Sequence, residues 1–403
     1  MIKSNENIRG SSNDIIEQIN KIKYLTFGSP IIDIIADVEK DFIEKFNLKL
    51  DTTSHADKND RVFSEIKKLN HNLVLGGCSY NAIRVLNWMM SSLTKDYAFQ
   101  VGCLGSIGKD DIGLHYKQQL EEEKIVHLFE EFEGDSGKCA TIIEGRERCH
   151  ITDLGASTKI TEEYVNLNWD SIKDVKLIYT ELYILSARKS VLLKLADLCL
   201  NDDKLFGFNF PSIGFLDAFS NDIKEMIEYG DILFANKEEA RHFVSNVLKY
   251  DYPDNSNLAE ILAKLPKKNK NKKRVFIVTC GPEPAFVAVY NPATEIMEFS
   301  GSFLPLFVEF ESIIDTNGAG DSFAGAFLAY YCQGYPIESC VKAGHWAAAE
   351  IIKVRGCNIP SQMVPPEEKK LLKMFNKQEN QIEDYQCSSN SLEQLNTDEI
   401  EFS

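Results

Sequence analysis

The chain has 403 residues, of which 44% are hydrophobic and 26% are charged, and its formal net charge is −17. This composition is ordinary for a globular protein, while the negative charge disfavours a general nucleic-acid binder, whose affinity comes from neutralising phosphates. No segment approaches the ~18 consecutive apolar residues that a membrane helix needs. We therefore expect neither a nucleic acid nor a membrane as a partner.

Both ends of the chain are predicted to be disordered tails. Residues 1–20 are polar and lack the apolar segment of a secretory signal, so we expect a cytoplasmic protein, with the nucleus as an alternative. Residues 376–403 combine acidic side chains with Ser, Asn and Gln, a composition that buries too little apolar surface to fold. Residues 21–365 are predicted to form one domain, and we expect a monomer.

Two further compositional features predict no site of their own. The ten cysteines show no C-x-x-C spacing, which favours thiols over disulfides or a structural metal site. The basic run "KLPKKNKNKKRVF" from Lys264 to Phe276 is predicted to be a solvated loop before a strand, with local anion attraction as the alternative.

Short apolar strands alternate with amphipathic segments through most of the chain. In order, the strands are "KYLTFGSPIIDI", "YAFQVGCLG", "VKLIYTEL", "KLFGFNF", "GDILFAN" and "RVFIVTCG". This alternation predicts βαβ units, and therefore an α/β fold with a mostly parallel sheet covered by helices. Ligands of such sheets bind at the carboxyl ends of the strands.

Two segments interrupt the alternation and predict a small β-rich lid over those strand ends. Residues 48–61 follow the first strand and do not fit the alternation of strands and helices, and "GKCATIIEGRERCHITDLGAS" from Gly137 to Ser157 predicts a hairpin that turns at Glu144 to Arg146. We place the lid segments at about 37–68 and 134–160.

The segment "IIDTNGAGDSFAGAFLAYY" predicts a turn between a strand and a helix. Ile313 and Ile314 are β-branched and are predicted to end a buried strand, whereas Phe323, Phe327 and Tyr331 recur at helical spacing.

The small residues at this turn predict an anion site. The amides of Gly318, Ala319 and Gly320 would be unpaired at a helix N-terminus, where the macrodipole also favours negative charge. Asp321 beside such a site is understandable if its carboxylate removes a proton from the group that accepts a phosphate. On this motif alone, a purely structural glycine turn stays open.

Seven segments occur together in an order that resembles the ribokinase-like (PfkB) kinases and, within them, the adenosine kinases. They are "GSPIIDI", "LGGCSYNAIRVLNWM", "CLGSIGKDDIG", "DILFANKEEA", "IVTCG", "DTNGAGDSF" and "AGHWAAAEIIKVRGCNIP", between Tyr24 and Pro360. The resemblance implies a three-layer α/β/α sandwich with a β-rich lid. It also implies phosphorylation of the 5′-hydroxyl of adenosine by ATP with Mg²⁺, giving AMP and ADP, as in purine salvage.

The resemblance assigns the phosphoryl-transfer residues. Asp321 would be the base, the amides of residues 318–320 would stabilise the transferring group, and Arg148 on the second arm of the lid hairpin would reach that group. Arg146 lies two residues away, so it would take this role if the strand register were shifted.

The residues expected around the nucleotide are Asn209, Asn236, Glu239, Thr279, Gly281, Asn317 and His345. Asn236 and Glu239 would organise Mg²⁺ through water, although an Asn and a Glu at this spacing are usually a helix cap. His345 would flank the ATP base, and the alternative is a buried packing residue.

The residues expected around the acceptor are Ser29, Asp33, Gly76, Gly77, Cys78, Asn81 and Tyr183. Asp33 would accept hydrogen bonds from two sugar hydroxyls, the glycine pair would let the sugar approach the backbone, and Asn81 would add an amide. Tyr183 would stack on the base. A tight turn into a helix is the alternative for the glycine pair.

Five departures from the adenosine kinase pattern fall on the nucleoside side. They are Ser29 for Asn, a lost Gln near Thr53, Cys78 for Ser, Asp153 for Asn, and Glu181 or Leu182 for Gly. Polar changes around a bound group can redirect specificity. Another purine nucleoside or a sugar as acceptor, and a catalytically silent nucleoside-binding protein, therefore stay open.

Overall fold

The structure is a computed structural model that describes residues 22–50, 52–55, 61–94, 100–145, 147–252, 257–360 and 362–380. The predicted tail over residues 1–20 lies outside the described residues. The strands are β1 (Tyr24–Phe27), β2 (Ile31–Asp37), β3 (Thr53–His55), β4 (His71–Gly76), β5 (Val101–Gly108), β6 (Val126–Phe132), β7 (Gly137–Glu144), β8 (Glu147–Asp153), β9 (Leu177–Glu181), β10 (Leu205–Asn209), β11 (Ile232–Asn236), β12 (Arg274–Cys280), β13 (Glu283–Asn291) and β14 (Ile296–Phe303).

The helices lie between these strands and after them. They are α1 (Lys40–Lys45), α2 (Val62–Ile66), α3 (Cys78–Leu93), α4 (Asp111–Glu122), α5 (Glu162–Leu167), α6 (Trp169–Ile172), α7 (Leu185–Asn201), α8 (Ile213–Ala218), α9 (Ser220–Tyr229), α10 (Lys237–His242), α11 (Leu258–Ala263), α12 (Ala319–Cys332) and α13 (Ile337–Ile351). A further helix covers residues 368–380. No helix in the described part of the chain combines the length and apolarity needed to cross a bilayer.

The larger sheet has nine strands among the described residues, in the order β14-β13-β12-β11-β10-β9-β1-β5-β6. Strand pairs from β12 to β6 are parallel, whereas β13 and β14 pair antiparallel at one edge. One apolar cluster joins a sheet face to α3, α12 and α13, and a second joins the other face to α7, α9 and α11. The predicted three-layer α/β/α sandwich is therefore confirmed.

A second, smaller sheet forms a lid, with the strand order β3-β8-β7-β2-β4. Its strands β3, β7 and β8 lie in the predicted lid segments, whereas β4 and nearly all of β2 lie outside them. The hairpin is confirmed, because β7 and β8 pair antiparallel down to Glu144 and Glu147 at the turn. Side chains such as Ile34 and Ile142 belong to the same apolar cluster as α3 and α12. The lid is therefore packed on the helical layer that carries the glycine motifs.

The first predicted strand is two strands in two sheets. In "KYLTFGSPIIDI", β1 pairs with β5 and β9 in the large sheet, whereas β2 pairs with β4 and β7 in the lid. Gly28 to Pro30 form the link between them. Asp33 consequently belongs to the lid sheet although it follows the first strand of the body.

The prediction that a buried strand ends at Ile313 and Ile314 is wrong. This segment is irregular after a short 3₁₀ turn at Phe310–Ser312, and Ile314 is 59% exposed. The amides of Ile314 and Asp315 donate to the carbonyl of Ile352, just beyond α13. A contact with another helix end therefore supplies the backbone partners that a sheet would otherwise provide.

The domain extends past the predicted boundary at residue 365. In the helix over residues 368–380, Leu371 and Phe375 are buried in the apolar cluster of α12 and α13. The spacing of four residues puts both side chains on one helix face. Residues 376–380, predicted to begin the acidic tail, continue this helix, and the rest of that tail lies outside the described residues.

Candidate active site

The N-terminus of α12 presents backbone donors toward open space. Gly318 caps the helix with a φ of 76°, and a Cβ there would lie 2.8 Å from Cβ of Cys357, so both backbone strain and packing require glycine. A Cβ on Gly320 would meet nothing within 4 Å. The amide of Ala319 has a long contact of 3.4 Å to Thr316, and the amides of Gly320 and Asp321 have no acceptor among the described residues. Such a helix end fits an anion.

Asp321 lies in the first turn of this helix as a carboxylate without a cation. Burial raises its pKa to about 7, while hydrogen bonds from Asn81 and Cys78 lower that pKa and the charge of Glu181 raises it. Nδ2 of Asn81 donates to Oδ2 at 3.0 Å. Within the described ranges, no Lys, Arg or His forms an ion pair with Asp321. A carboxylate with this pKa is suited to general-base catalysis near neutral pH.

Asp33 lies in a narrow cradle near Asp321. Burial raises its pKa to about 7, with further contributions from the charges of Asp321 and Asp315. A Cβ on Gly76 would lie 2.6 Å from Oδ2 of Asp33. Gly77 has a φ of 94°, and a Cβ there would lie 2.5 Å from the carbonyl oxygen of Ser29. A side chain at Gly76 would therefore clash with the Asp33 carboxylate, and one at Gly77 would clash with the Ser29 carbonyl.

The side chain of Asn81 contacts Asp321, the predicted base, and the sequence did not indicate this contact. Its Nδ2 is used by Asp321, whereas its Oδ1 is buried and has no hydrogen-bond partner. Leaving a buried acceptor unpaired costs about 1–3 kcal/mol. The oxygen therefore suits a donor from a ligand, such as a sugar hydroxyl.

Asn236 and Glu239 form a complete capping box at the start of α10. Oδ1 of Asn236 accepts from the amide of Glu239 at 2.8 Å, and Oε2 of Glu239 accepts from the amide of Asn236 at 2.9 Å. Asn236 and Glu239 therefore form the helix cap that was the alternative interpretation of this pair. Burial raises the pKa of Glu239 to about 7, the Asn236 amide lowers it, and the charge of Asp321 raises it. A partly buried carboxylate near a second one fits a Mg²⁺ ion bound through water.

Three other predicted nucleotide residues lie at or just beyond the carboxyl ends of β10 and β12, the two strands that flank β11. Asn209 ends β10, and its Oδ1 is buried without a partner. Thr279 lies at the end of β12, where its hydroxyl donates weakly to Ala235 at 3.4 Å. Gly281 follows with a φ of 59° and no atom within 4 Å of a Cβ position. These positions lie at the same end of the sheet as Asn236, the end at which the parallel strands terminate.

The side chain of His345 has the contacts of a packing residue. It is 6% exposed, its Nε2 lies 3.2 Å from the carbonyl of Phe303, and its ring packs edge-on against Phe323 at 5.1 Å. Burial lowers its pKa to about 4, so the ring is neutral at physiological pH. These contacts favour the packing alternative over a role at the ATP base.

Tyr183 and Asn317 lie at the margins of the site. Tyr183 is 37% exposed, accepts a hydrogen bond from the amide of Ser212 at 2.8 Å and packs edge-on against Phe215. The amide of Asn317 donates to Oδ1 of Asp315 at 2.9 Å.

Arg148 ties the lid to the loop before α12. Its Nη1 donates to Asp315 at 2.6 Å and its Nη2 to Thr316 at 2.7 Å. Asp315 is buried and also accepts from the amide of Gly356 at 2.9 Å. Arg146, the alternative for this role, lies outside the described residues.

Asp315 is a site residue that the sequence analysis missed. It opens the quoted motif D-T-N-G, so a signal was present, but the motif does not reveal that this carboxylate joins Arg148 to two loop amides. Of the remaining departures, Asp153 lies 3.3 Å from Lys138, and the side chain of Thr53 lies outside the described residues.

Comparisons with known proteins identify the family of this chain. Residues 42–363 match the family described as pfkB family carbohydrate kinase. The chain is similar to "Adenosine kinase 1" of Arabidopsis thaliana, at 30% identity over 344 residues, 84% of this chain and 96% of that protein. It is also similar to "Adenosine kinase" of Dictyostelium discoideum, at 30% identity over 85% of this chain and 98% of that one.

A solved structure has the same fold over nearly its whole length. Adenosine kinase from Schistosoma mansoni, in complex with adenosine and AMP, superimposes with a TM-score of 0.74 at 27% identity, covering 84% of this chain and 97% of that chain. The match of the family extends over most of the described body and lid. The chain therefore belongs to the pfkB family of carbohydrate kinases, together with the adenosine kinases that it resembles.

Proposed function

We propose that this chain is an ATP-dependent adenosine kinase that phosphorylates the 5′-hydroxyl of adenosine and releases AMP and ADP. The observation that carries the proposal is the position of Asp321, a carboxylate with a pKa near 7 beside the unpaired amides of α12. The Asp33 cradle supplies a place for the sugar. The adenosine kinases among its relatives support adenosine as the acceptor.

The proposed reaction takes place at the N-terminus of α12. The 5′-hydroxyl transfers its proton to Asp321, its oxygen forms a bond to the γ-phosphorus, and the bond from that phosphorus to the bridging oxygen breaks. The electron pair leaves with ADP. The amides of Gly320 and Asp321 stabilise charge on the transferring group, and in-line positioning supplies most of the remaining rate enhancement.

Mg²⁺ belongs to the proposal because the residues present fit it. Asn236 and Glu239 would hold it through water, and it would neutralise charge on the β- and γ-phosphates. The lid would exclude water from the closed site and so limit hydrolysis of ATP. A cytoplasmic or nuclear location and a monomeric state stay predictions.

A substrate panel tests the acceptor. Purified protein with Mg²⁺ and ATP is offered adenosine, inosine, guanosine and ribose, and kcat/KM is compared. We expect adenosine to be preferred. Preferential use of ribose or inosine would overturn the adenosine assignment while keeping the kinase assignment.

The variant Asp321→Asn tests the base. We expect turnover to fall by about 10²–10⁴-fold, the usual contribution of a general base, while ATP binding measured by calorimetry stays near that of the wild type. Asp222→Asn, a surface carboxylate paired with Lys189, is the matched control and should keep full activity. Turnover of Asp321→Asn within a few-fold of the wild type would exclude this role, and stoichiometric adenosine binding by the wild type without product would favour a silent binding protein.

A further inference from the structure

Glu181 is a buried carboxylate that the proposed reaction does not use. It ends β9, is 3% exposed, and has no ion-pair partner within the described ranges. Its Oε1 accepts from the amide of Ser29 at 2.8 Å, and its Oε2 accepts from the amide and hydroxyl of Ser79 at 3.1 and 3.3 Å. Burying a carboxylate against neutral donors alone is unfavourable, so its presence calls for a specific role.

These hydrogen bonds join three segments that surround the acceptor. Ser29 lies in the link between β1 and β2, four residues before Asp33. Ser79 lies in the first turn of α3, between Cys78 and Asn81. The side chain of Asn81 donates to Asp321, and hydrogen bonding by the Cys78 thiol lowers the pKa of Asp321. One carboxylate thereby connects β9, the strand that carries Asp33, and the helix turn that holds the base.

Glu181 supplies the cap that α3 lacks. The N-cap residue of this helix is Gly77, which has no side chain to accept a hydrogen bond from the first turn. A carboxylate at a helix N-terminus satisfies an unpaired amide and interacts favourably with the macrodipole. Here that carboxylate comes from a strand 102 residues away in the sequence.

The surrounding backbone leaves room for this arrangement at Gly28. A Cβ there would lie 2.3 Å from Oγ of Ser79 and 3.0 Å from Cδ of Glu181. Two of the five departures from the family pattern, Ser29 and Cys78, lie beside Glu181, which is one of the two positions expected for a third, since Glu181 bonds to Ser29 and to the residue after Cys78. They form one connected group of changes.

We infer that Glu181 is a positioning residue that caps α3 and thereby holds Cys78 and Asn81 against Asp321. The inference rests on the proposed function, since it concerns the orientation of the proposed base. Glu181 itself does not face the substrate, because both of its oxygens are used and its side chain is buried. Its removal should lower kcat far more than it changes the KM for ATP.

The variant Glu181→Gln tests this inference with little change in shape. The amide keeps one acceptor oxygen but turns an NH₂ group toward the other backbone N–H. We expect kcat to fall by about 10- to 100-fold, the effect of a displacement of about 1 Å at a reacting centre, while the KM for ATP stays within about twofold. Glu130→Gln is the matched control, because Glu130, like Glu181, accepts from a neutral backbone amide and a hydroxyl, those of Thr161, although Glu181 accepts from a second amide as well. It should leave the kinetics unchanged.

The acidic limb of the kcat–pH profile separates positioning from general destabilisation. Asp321 is faced by Cys78 and Asn81 from α3, Glu181 from β9, Asp33 from β2 and Glu239 from α10. Glu181→Gln removes a negative charge and should move the limb to lower pH, whereas Glu181→Asp keeps the charge and should lower kcat without moving it. If Glu181→Gln fails to fold, Ser79→Ala removes one donor and should give a smaller loss of kcat.

A crystal structure of Glu181→Gln gives a readout that does not depend on activity. We expect the 3.0 Å contact between Asn81 and Asp321 to lengthen or break. An unchanged contact, or wild-type kinetics in folded Glu181→Gln, would overturn the inference. Wild-type protein that does not phosphorylate adenosine would instead overturn the proposed function, and the crystallographic result would still decide the role of Glu181.

Discussion

Three carboxyl groups near one another, at Asp33, Asp321 and Glu239, share a raised pKa of about 7. In each case burial is the largest cause, and the charge of Asp321 contributes to the other two. None has an ion-pair partner in the part of the chain that the structure describes. The site is therefore built for ligands that bring positive charge or hydroxyl donors, as a metal nucleotide and a sugar do.

The pKa of Asp321 predicts how activity depends on pH. A general base must be ionised, so kcat/KM should fall as the pH decreases through about 7, with a limiting slope set by one proton. Initial rates with subsaturating adenosine between pH 5.5 and 9 would measure this limb. A profile that stays flat down to pH 5.5 would mean that the carboxyl group is not raised in the active enzyme.

Sequence motifs predicted the residue types of the site better than their contacts. The glycines and Asp321 followed from one segment, because a helix N-terminus with small residues has only a few uses. Asn81 and Asp321 are 240 residues apart, and no local pattern indicates that their side chains meet. The same holds for Arg274, predicted to lie in a solvated basic loop, which is wholly buried and donates to four backbone carbonyls.

Two alanine variants in the turn into α12 distinguish the role of its backbone conformation from the role of the open space beside it. Gly318→Ala places a side chain at a φ of 76° and within 2.8 Å of Cys357, which should cost at least about 1–2 kcal/mol and lower Tm. Gly320→Ala meets no protein atom within 4 Å and should leave Tm unchanged or slightly raised. Its methyl group would occupy the space beside the unpaired amides, so the KM for ATP should rise and kcat should fall.

Thermal unfolding and steady-state kinetics of both alanine variants measure these effects. Wild-type kinetics in Gly320→Ala would show that the open side of this turn does not face the transferred phosphate. A wild-type Tm in Gly318→Ala would show that the positive φ is not required.

Two arginines tie the lid to the body and provide a matched pair of substitutions. Arg148 bonds to Asp315 and Thr316 beside α12, whereas Arg355 bonds to Asp37 at the end of β2. Lysine keeps the charge but loses the forked donor geometry. Arg148→Lys should lower kcat by about 10- to 100-fold through misplacement of the lid over the reacting groups.

Arg355→Lys is the control for a lid contact without a catalytic neighbour. Exposed ion pairs contribute about 0–1 kcal/mol, so its kcat should stay within about threefold of the wild type. Equal losses of kcat in the two variants would mean that the lid needs both tethers equally and that Arg148 has no special position.

The layers of the molecule were predictable, whereas the allocation of strands to sheets was not. Alternating apolar strands and helices have few compact solutions, and the parallel body follows from them. Periodicity does not say which sheet a strand joins, so β1 and β2 were merged into one strand. The pair Ile313 and Ile314 was too short to distinguish a strand from a loop held by the end of α13.

At the scale of the whole molecule, the buried carboxyl groups should make the unliganded protein less stable as the pH rises. For Asp321, the native pKa of about 7 lies above its ordinary value of 3.8. Between these values the native state binds more protons than the unfolded state, so the free energy of unfolding decreases with rising pH. This sign is opposite to that of a salt-bridged carboxylate.

Asp321→Asn should therefore stabilise the unliganded protein, by an amount that grows from about pH 4 to about pH 7 and is constant above it. Calorimetric Tm values at pH 5 and pH 8 measure the difference. Asp110→Asn is the control with the opposite sign. Burial raises the pKa of Asp110, but hydrogen bonds from Ser136 and Gly113 lower it by more, so the net shift is downward. This variant should therefore lose stability at both pH values. If Asp321→Asn were less stable than the wild type at pH 8, the hydrogen bonds of the ionised carboxylate would stabilise the native state by more than its burial destabilises it. The pKa of Asp321 would then not be raised in the native protein.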